Sequence, residues 1–136
     1  IDHEIKLHIN YCKKWKIPLK SLNNIKVEKA NSSYTDHVLN IGKSGNNFDI
    51  FSCLSPCIIG YGEIAYNLTK NKNWKKSKYS SWIKMYASRD YQQVAKDNIN
   101  YLDHLLKKNQ NIDKTKIIRN FKKSTILETN FWQCFV

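Results

Sequence analysis

Apolar positions recur at steps of three and four along nearly the whole chain. Residues 2–16 place Ile5, His8, Ile9, Cys12 and Trp15 on one face, which predicts an amphipathic helix ended by Ile17 and Pro18. Residues 19–41 continue the helical period, with a break at Asn31, Ser32 and Ser33 and an inward stripe of Tyr34, Val38 and Ile41. Residues 43–47 (KSGNN) form the clearest loop. The segment over residues 48–66 follows them. Residues 67–80 are a polar, lysine-rich connection holding Trp74, and Tyr79, Trp82 and Tyr86 then return at helical spacing. Residues 90–107 predict a long helix with Tyr91, Val94, Ala95, Asn98, Tyr101, Leu102 and Leu105 inside. A last helix over 113–135 turns Ile117, Phe121, Ile126, Phe131, Trp132 and Phe135 inward. The pattern predicts an all-α fold, a single helical domain over 1–136 with short links between antiparallel neighbours.

Composition agrees with one core: 136 residues, 41% hydrophobic, and only four glycines and two prolines, too few for the turns of an all-β chain. No run approaches the length of a membrane span, so no membrane is expected. The opening IDHEIKLH carries no secretory or transit pattern, which suggests the cytoplasm, and without an initiator Met it suggests that upstream residues exist. A net charge of +12 raises nucleic acid as a partner. The lysines are scattered, however, and only Arg89 and Arg119 accompany them, so they read as solvated faces and no nucleic acid is expected. Cys12, Cys53, Cys57 and Cys134 form no CxxC pair. Free thiols, no metal and no cofactor are the expectation.

Two residues carry candidate chemistry. Cys57 follows Ser55 and Pro56 and precedes Tyr61 by one helical turn. Either the helix starts at Ser55–Pro56, or it starts earlier, near Phe48, and Pro56 kinks it. Both place Cys57 at a helix start or break, where free N–H groups lower a thiol pKa. Gly60 and Gly62 leave the flanks bare for a helix or a ligand. Glu128 shares its face with Phe121, Phe131, Trp132 and Phe135. There it either pairs with a cation or is desolvated with a raised pKa, unless the helix turns it to the rim. An activated thiol, a protonated carboxyl and inward tyrosines describe a site for nucleophilic addition with proton donation.

The order of motifs is familiar. YTDHVL, SPCIIGYGEIA, WIKMYASRDY and STILETNFW resemble the TenA family, the thiaminase II (aminopyrimidine aminohydrolase) proteins, over essentially the whole chain. The resemblance implies an all-helical, haem-oxygenase-like bundle assembled as a homotetramer. It places the family's nucleophile on Cys57, its neighbouring tyrosine on Tyr61 and the tyrosine of YAS on Tyr86. It also places the pocket tyrosine on Tyr34, the catalytic glutamate on Glu128 and the pocket phenylalanine on Phe131. The family's pyrimidine-holding aspartate and tyrosine come from first helices that precede this chain and match no residue here. A bundle without those helices is expected to expose apolar surface.

The implied activity is hydrolysis of an aminomethylpyrimidine, a breakdown product of thiamine, or of thiamine itself, in thiamine salvage. A non-catalytic pyrimidine- or thiamine-binding protein is the alternative, and a basic nucleic-acid-binding regulator is a third.

Overall fold

The computed structural model describes residues 2–109 and 111–135, with side chains from Glu4 onward. Six helices follow in order: α1 (Asp2–Lys14), α2 (Lys29–Ser44), α3 (Asn47–Thr69), α4 (Ser80–Tyr86), α5 (Arg89–Lys108) and α6 (Lys114–Gln133). Short 3₁₀ turns at Leu19–Asn24 and Trp74–Lys76 lie in the connections, and no strand occurs among the described residues. The fold is all-α.

Helix α3 is the centre, with α2, α4, α5 and α6 packed against it. Its length and apolar character would suit a bilayer crossing, but here four helices cover it and it buries Asp49, Ser52 and Ser55. A capping box starts it. The Asn46 side chain accepts from the N–H groups of Phe48 (3.0 Å) and Asp49 (3.2 Å), and Asp49 accepts from the Asn46 N–H at 3.1 Å. The helix therefore begins well before Ser55, and of the two sequence alternatives the kinked one holds: Pro56 lies inside and denies the Ser52 carbonyl its usual N–H donor. Gly62 lets α5 close in, because an added Cβ would sit 3.2 Å from the Gln92 side chain. Gln92 ties the two helices, donating to the carbonyls of Gly62 and Tyr86, each at 3.0 Å. Gly60 faces open space.

Helices α3 and α6, which are not consecutive in the chain, pack side by side. Asp49 pairs with Lys116 and Asn120, Cys53 lies against Ser124, Cys57 lies near Glu128, and Tyr61 meets Trp132 edge-on with ring centroids 5.6 Å apart. Both sets of numbers rise together at steps of about four, so these helices run parallel, joined by a ladder of mostly polar side chains. Because that ladder is polar, the inward face of α6 differs from the one its aromatics predict. The buried residues are Asn120, Ser124, Leu127 and Glu128, whereas Phe121, Ile126 and Phe135 are exposed.

Helix α1 is rotated in the same way from its sequence reading. Ile5 and Trp15 are exposed, and Tyr11 is the buried position. Tyr11 fastens α1 to the start of α4, its hydroxyl accepting from the Trp82 N–H at 2.9 Å and the Ser81 hydroxyl at 2.7 Å. Without it the Trp82 N–H, in the first turn of α4, would lack an intrahelical partner. Val94 on α5 and Leu39 on α2 are also exposed, so the bundle leaves apolar surface uncovered.

Candidate active site

Five helices besides α3 deliver side chains to the region around Cys57, halfway along α3. Tyr34 comes from α2, Tyr86 from α4, Tyr91 from α5, Glu128 from α6 and Glu4 from α1. The hydroxyls of Tyr34 and Tyr61 lie against both the Cys57 thiol and the Glu128 carboxyl. Rings line one side, with Tyr86 meeting Tyr61 at 5.2 Å and Tyr91 at 4.7 Å between centroids. Trp82 and Trp132 back Tyr61 at 5.9 and 5.6 Å. Beyond those indoles lies an open, largely apolar groove of about 810 Å³, lined by residues including Trp74, Tyr79 and Phe135. Of the sequence candidates, Tyr34, Cys57, Tyr61, Tyr86 and Glu128 converge. Phe131 stays one turn beyond Glu128 on α6, its ring meeting Phe135 at 5.4 Å.

The electrostatics differ from the sequence expectation for the nucleophile. Cys57 is not at a helix start, and its thiol pKa is pushed up to about 12 from 9.0. Burial is the main cause, the charge of Glu4 adds to it, and contacts from Tyr34 and Tyr61 offset this only in part. At rest the sulfur therefore keeps its proton. The phenols of Tyr34, Tyr61, Tyr86 and Tyr91 are all driven above their ordinary range by burial first. After burial, nearby Cys57, Glu128 or Glu4 contributes. All four remain neutral hydroxyls able to donate.

Glu128 is buried, 8% exposed, and neither carboxyl oxygen closes a hydrogen bond with another group among the described residues. Buried polar atoms in native proteins nearly always have partners. Two acceptor oxygens aimed into a site lined by a thiol and phenols are therefore positioned to be satisfied by a bound molecule. The apolar stripe of α1 runs through Ile5 and His8 and does not point to Glu4. The signal was present: Glu4, Leu7 and Tyr11 stand at i, i+3 and i+7. The Glu4 carboxylate accepts a hydrogen bond from the Tyr86 hydroxyl.

One turn earlier on α3, Cys53 is fully buried, with its sulfur 3.7 Å from Nε2 of His37. Burial pushes the Cys53 thiol up, and burial followed by the charge of Lys123 pushes the His37 imidazole down. Among the described residues no three His, Cys, Asp or Glu side chains gather as a set of metal ligands.

Similarity to known proteins follows the same lines. The chain is 33% identical over 135 residues to an aminopyrimidine aminohydrolase of Helicobacter pylori, covering 97% of this chain and 61% of the relative. It is 30% identical over 133 residues to one of Halalkalibacterium halodurans, covering 97% and 59%. An uncharacterized protein of Haemophilus influenzae is 30% identical over 131 residues, covering 96% and 61%. The chain thus spans about three-fifths of the length of these curated relatives. Residues 1–135, nearly the whole chain and all of the helices that meet at Cys57, match the TENA/THI-4/PQQC family, and the chain belongs to it.

Proposed function

We propose that the protein hydrolyses an aminomethylpyrimidine, releasing ammonia and the hydroxymethylpyrimidine, by reversible addition of Cys57 to the ring. The observation that carries this reading is the meeting of a half-buried thiol from α3 with a buried carboxyl from α6 whose two oxygens are unpartnered. Relatives named aminopyrimidine aminohydrolase support the substrate class.

The chemistry needs both groups. An aminopyrimidine ring is too electron-rich for water to displace the amine from its exocyclic methylene directly. When sulfur adds to the unsubstituted ring carbon, the adjacent ring nitrogen takes a proton from Glu128 and aromaticity is lost. The amine then departs with the electrons of its C–N bond. Water adds to the exposed methylene, the C–S bond breaks, and the ring nitrogen returns its proton to Glu128. Tyr34 flanks the flat ring, the resemblance alone assigns Phe131 to the same pocket, and Tyr61 and Tyr86 hold the sulfur and the water. Thiamine fits the same scheme with a different leaving group. Assembly as a homotetramer and residence in the cytoplasm complete the reading. The resemblance supports the first, and four free thiols suit the second.

A second reading, pyrimidine or thiamine binding without turnover, is favoured by one observation: the resting thiol is protonated. One experiment separates the two. Cys57→Ser should abolish ammonia release while leaving pyrimidine affinity within about tenfold, or ~1.4 kcal/mol. A serine variant as active as the parent would remove Cys57 from the chemistry. A parent that binds the pyrimidine but releases no ammonia would establish binding alone.

A further inference from the structure

We propose that Glu4 is the proton acceptor behind Tyr86, serving the sulfur and the water while Glu128 serves the ring nitrogen. The inference rests on the hydrolytic reading above. It starts from the hydrogen bond that the Tyr86 hydroxyl donates to the Glu4 carboxylate. A hydroxyl has one proton to give. With that proton committed to Glu4, the oxygen of Tyr86 faces the site as an acceptor, ready to take a proton from a thiol or from water while passing its own to Glu4.

Two requirements make this arrangement useful. Cys57 holds its proton at rest, so a base must remove it. Glu128 must deliver a proton to the ring in the same step and cannot take one at the same time. A second carboxylate is needed, and Glu4 is close enough to Cys57, Tyr86 and Tyr91 for its charge to be felt by all three. Each of these groups comes from a different helix: Cys57 from α3, Tyr86 from α4 and Tyr91 from α5.

The proton balance closes. In the first half the thiol proton passes to the Tyr86 oxygen, the Tyr86 proton moves to Glu4, and the sulfur pair forms the C–S bond. Glu4 returns its proton by the same path to the departing nitrogen, which leaves as ammonia and restores the anion. In the second half water forms a C–O bond and its proton travels to Glu4. As the C–S bond breaks, sulfur keeps the pair and takes that proton back. Glu128 loses one proton to the ring and regains it, so the sum is amine plus water to alcohol plus ammonia.

Glu4→Gln in the full chain is the test, because the amide oxygen can still accept from Tyr86 but cannot take its proton. With an aminomethylpyrimidine as substrate, kcat should fall at least ~100-fold with KM changed less than about twofold, and the acid limb of the pH–rate profile should disappear. Tyr86→Phe should match it, and the double variant should be no worse than either alone. Alkylation of Cys57 by iodoacetamide, followed on its peptide, should move the other way. Removing the Glu4 charge lowers the thiol pKa, so the variant should react faster at neutral pH. Slower turnover with faster alkylation is not a pattern that mere loss of structure produces. Turnover of Glu4→Gln within about threefold of the parent, with Cys57→Ser inactive, would overturn the role of Glu4 and leave the hydrolytic reading intact. An active Cys57→Ser would overturn both. If Glu4→Gln does not fold, Tyr86→Phe decides alone: an unchanged acid limb in it would overturn the relay.

Discussion

Two buried carboxyls stand on the same seam between α3 and α6, about two helical turns apart, and they are treated in opposite ways. Asp49 is fully engaged: Lys116 donates at 2.7 Å, Asn120 at 3.1 Å and the Asn46 N–H at 3.1 Å. Burial alone would raise its pKa, but these donors win and hold it below the ordinary 3.8. Glu128 is nearly as buried and has both oxygens unpartnered. Desolvating a carboxyl without compensation is costly, so the two acids contrast in how far the fold offsets their burial. Asp49 holds the helices together, whereas Glu128 has the hydroxyls of Tyr34 and Tyr61 against it and oxygens still able to accept from a bound molecule. Between them, Cys53 repeats the contrast with Cys57. Both are thiols on α3, one sealed against His37 and Ser124, the other facing the phenols and Glu128.

The sharpest way to break this comparison is at Glu128. Glu128→Gln keeps the shape but cannot exchange a proton, so turnover should fall at least ~100-fold while thermal unfolding is not lowered. A variant with near-normal turnover, or one with the stability loss expected at Asp49, would erase the distinction. Asp49→Ala is the mirror experiment. It strips Asn120 of its acceptor and removes half of the α3 capping box, at a cost of about 2 kcal/mol in denaturant unfolding, with kcat/KM unchanged in the folded protein.

Acid should act on Asp49 with a definite sign. Its folded pKa lies below 3.8, so the unfolded chain binds more protons in the window beneath that value. The stability it contributes is fully present above pH ~4 and disappears as pH falls through the folded pKa. Asp49→Asn should flatten that part of the stability–pH curve, and an unaltered slope would remove Asp49 as its source. The smallest effect is expected at Cys53→Ser. Exchanging a buried thiol for a hydroxyl beside Ser124 and His37 should cost about 1 kcal/mol and leave turnover within about threefold, far from the loss at Cys57. Comparable losses of turnover at both cysteines would mean that the two thiols act as one site.

What the sequence determined by itself was the periodic and the local. Helices α5 and α6 stand where their apolar spacing put them, within a few residues. Tyr34, Cys57, Tyr61, Tyr86 and Glu128 could be nominated because chemically unusual residue types fall in recognisable motifs. The start of α3 stayed open between Ser55–Pro56 and Phe48, and the structure decides it with the capping box of Asn46 and Asp49.

Tertiary structure decided which face each helix buries when the buried face is polar. Hydrophobic periodicity is blind to a seam of Asn120, Ser124 and Glu128 matched against Asp49 and Cys53, so it favoured the aromatics of α6 and the isoleucines of α1. It also decided ionisation. A thiol pKa depends on how much solvent and how many polar or charged groups surround the sulfur, and three other helices, α1, α2 and α6, supply such groups to Cys57. Local sequence offered Cys57 a helix break that would ease its ionisation. Burial, with the charge of Glu4 arriving from the start of the chain, keeps it protonated, which is why the proposal above gives the thiol a base.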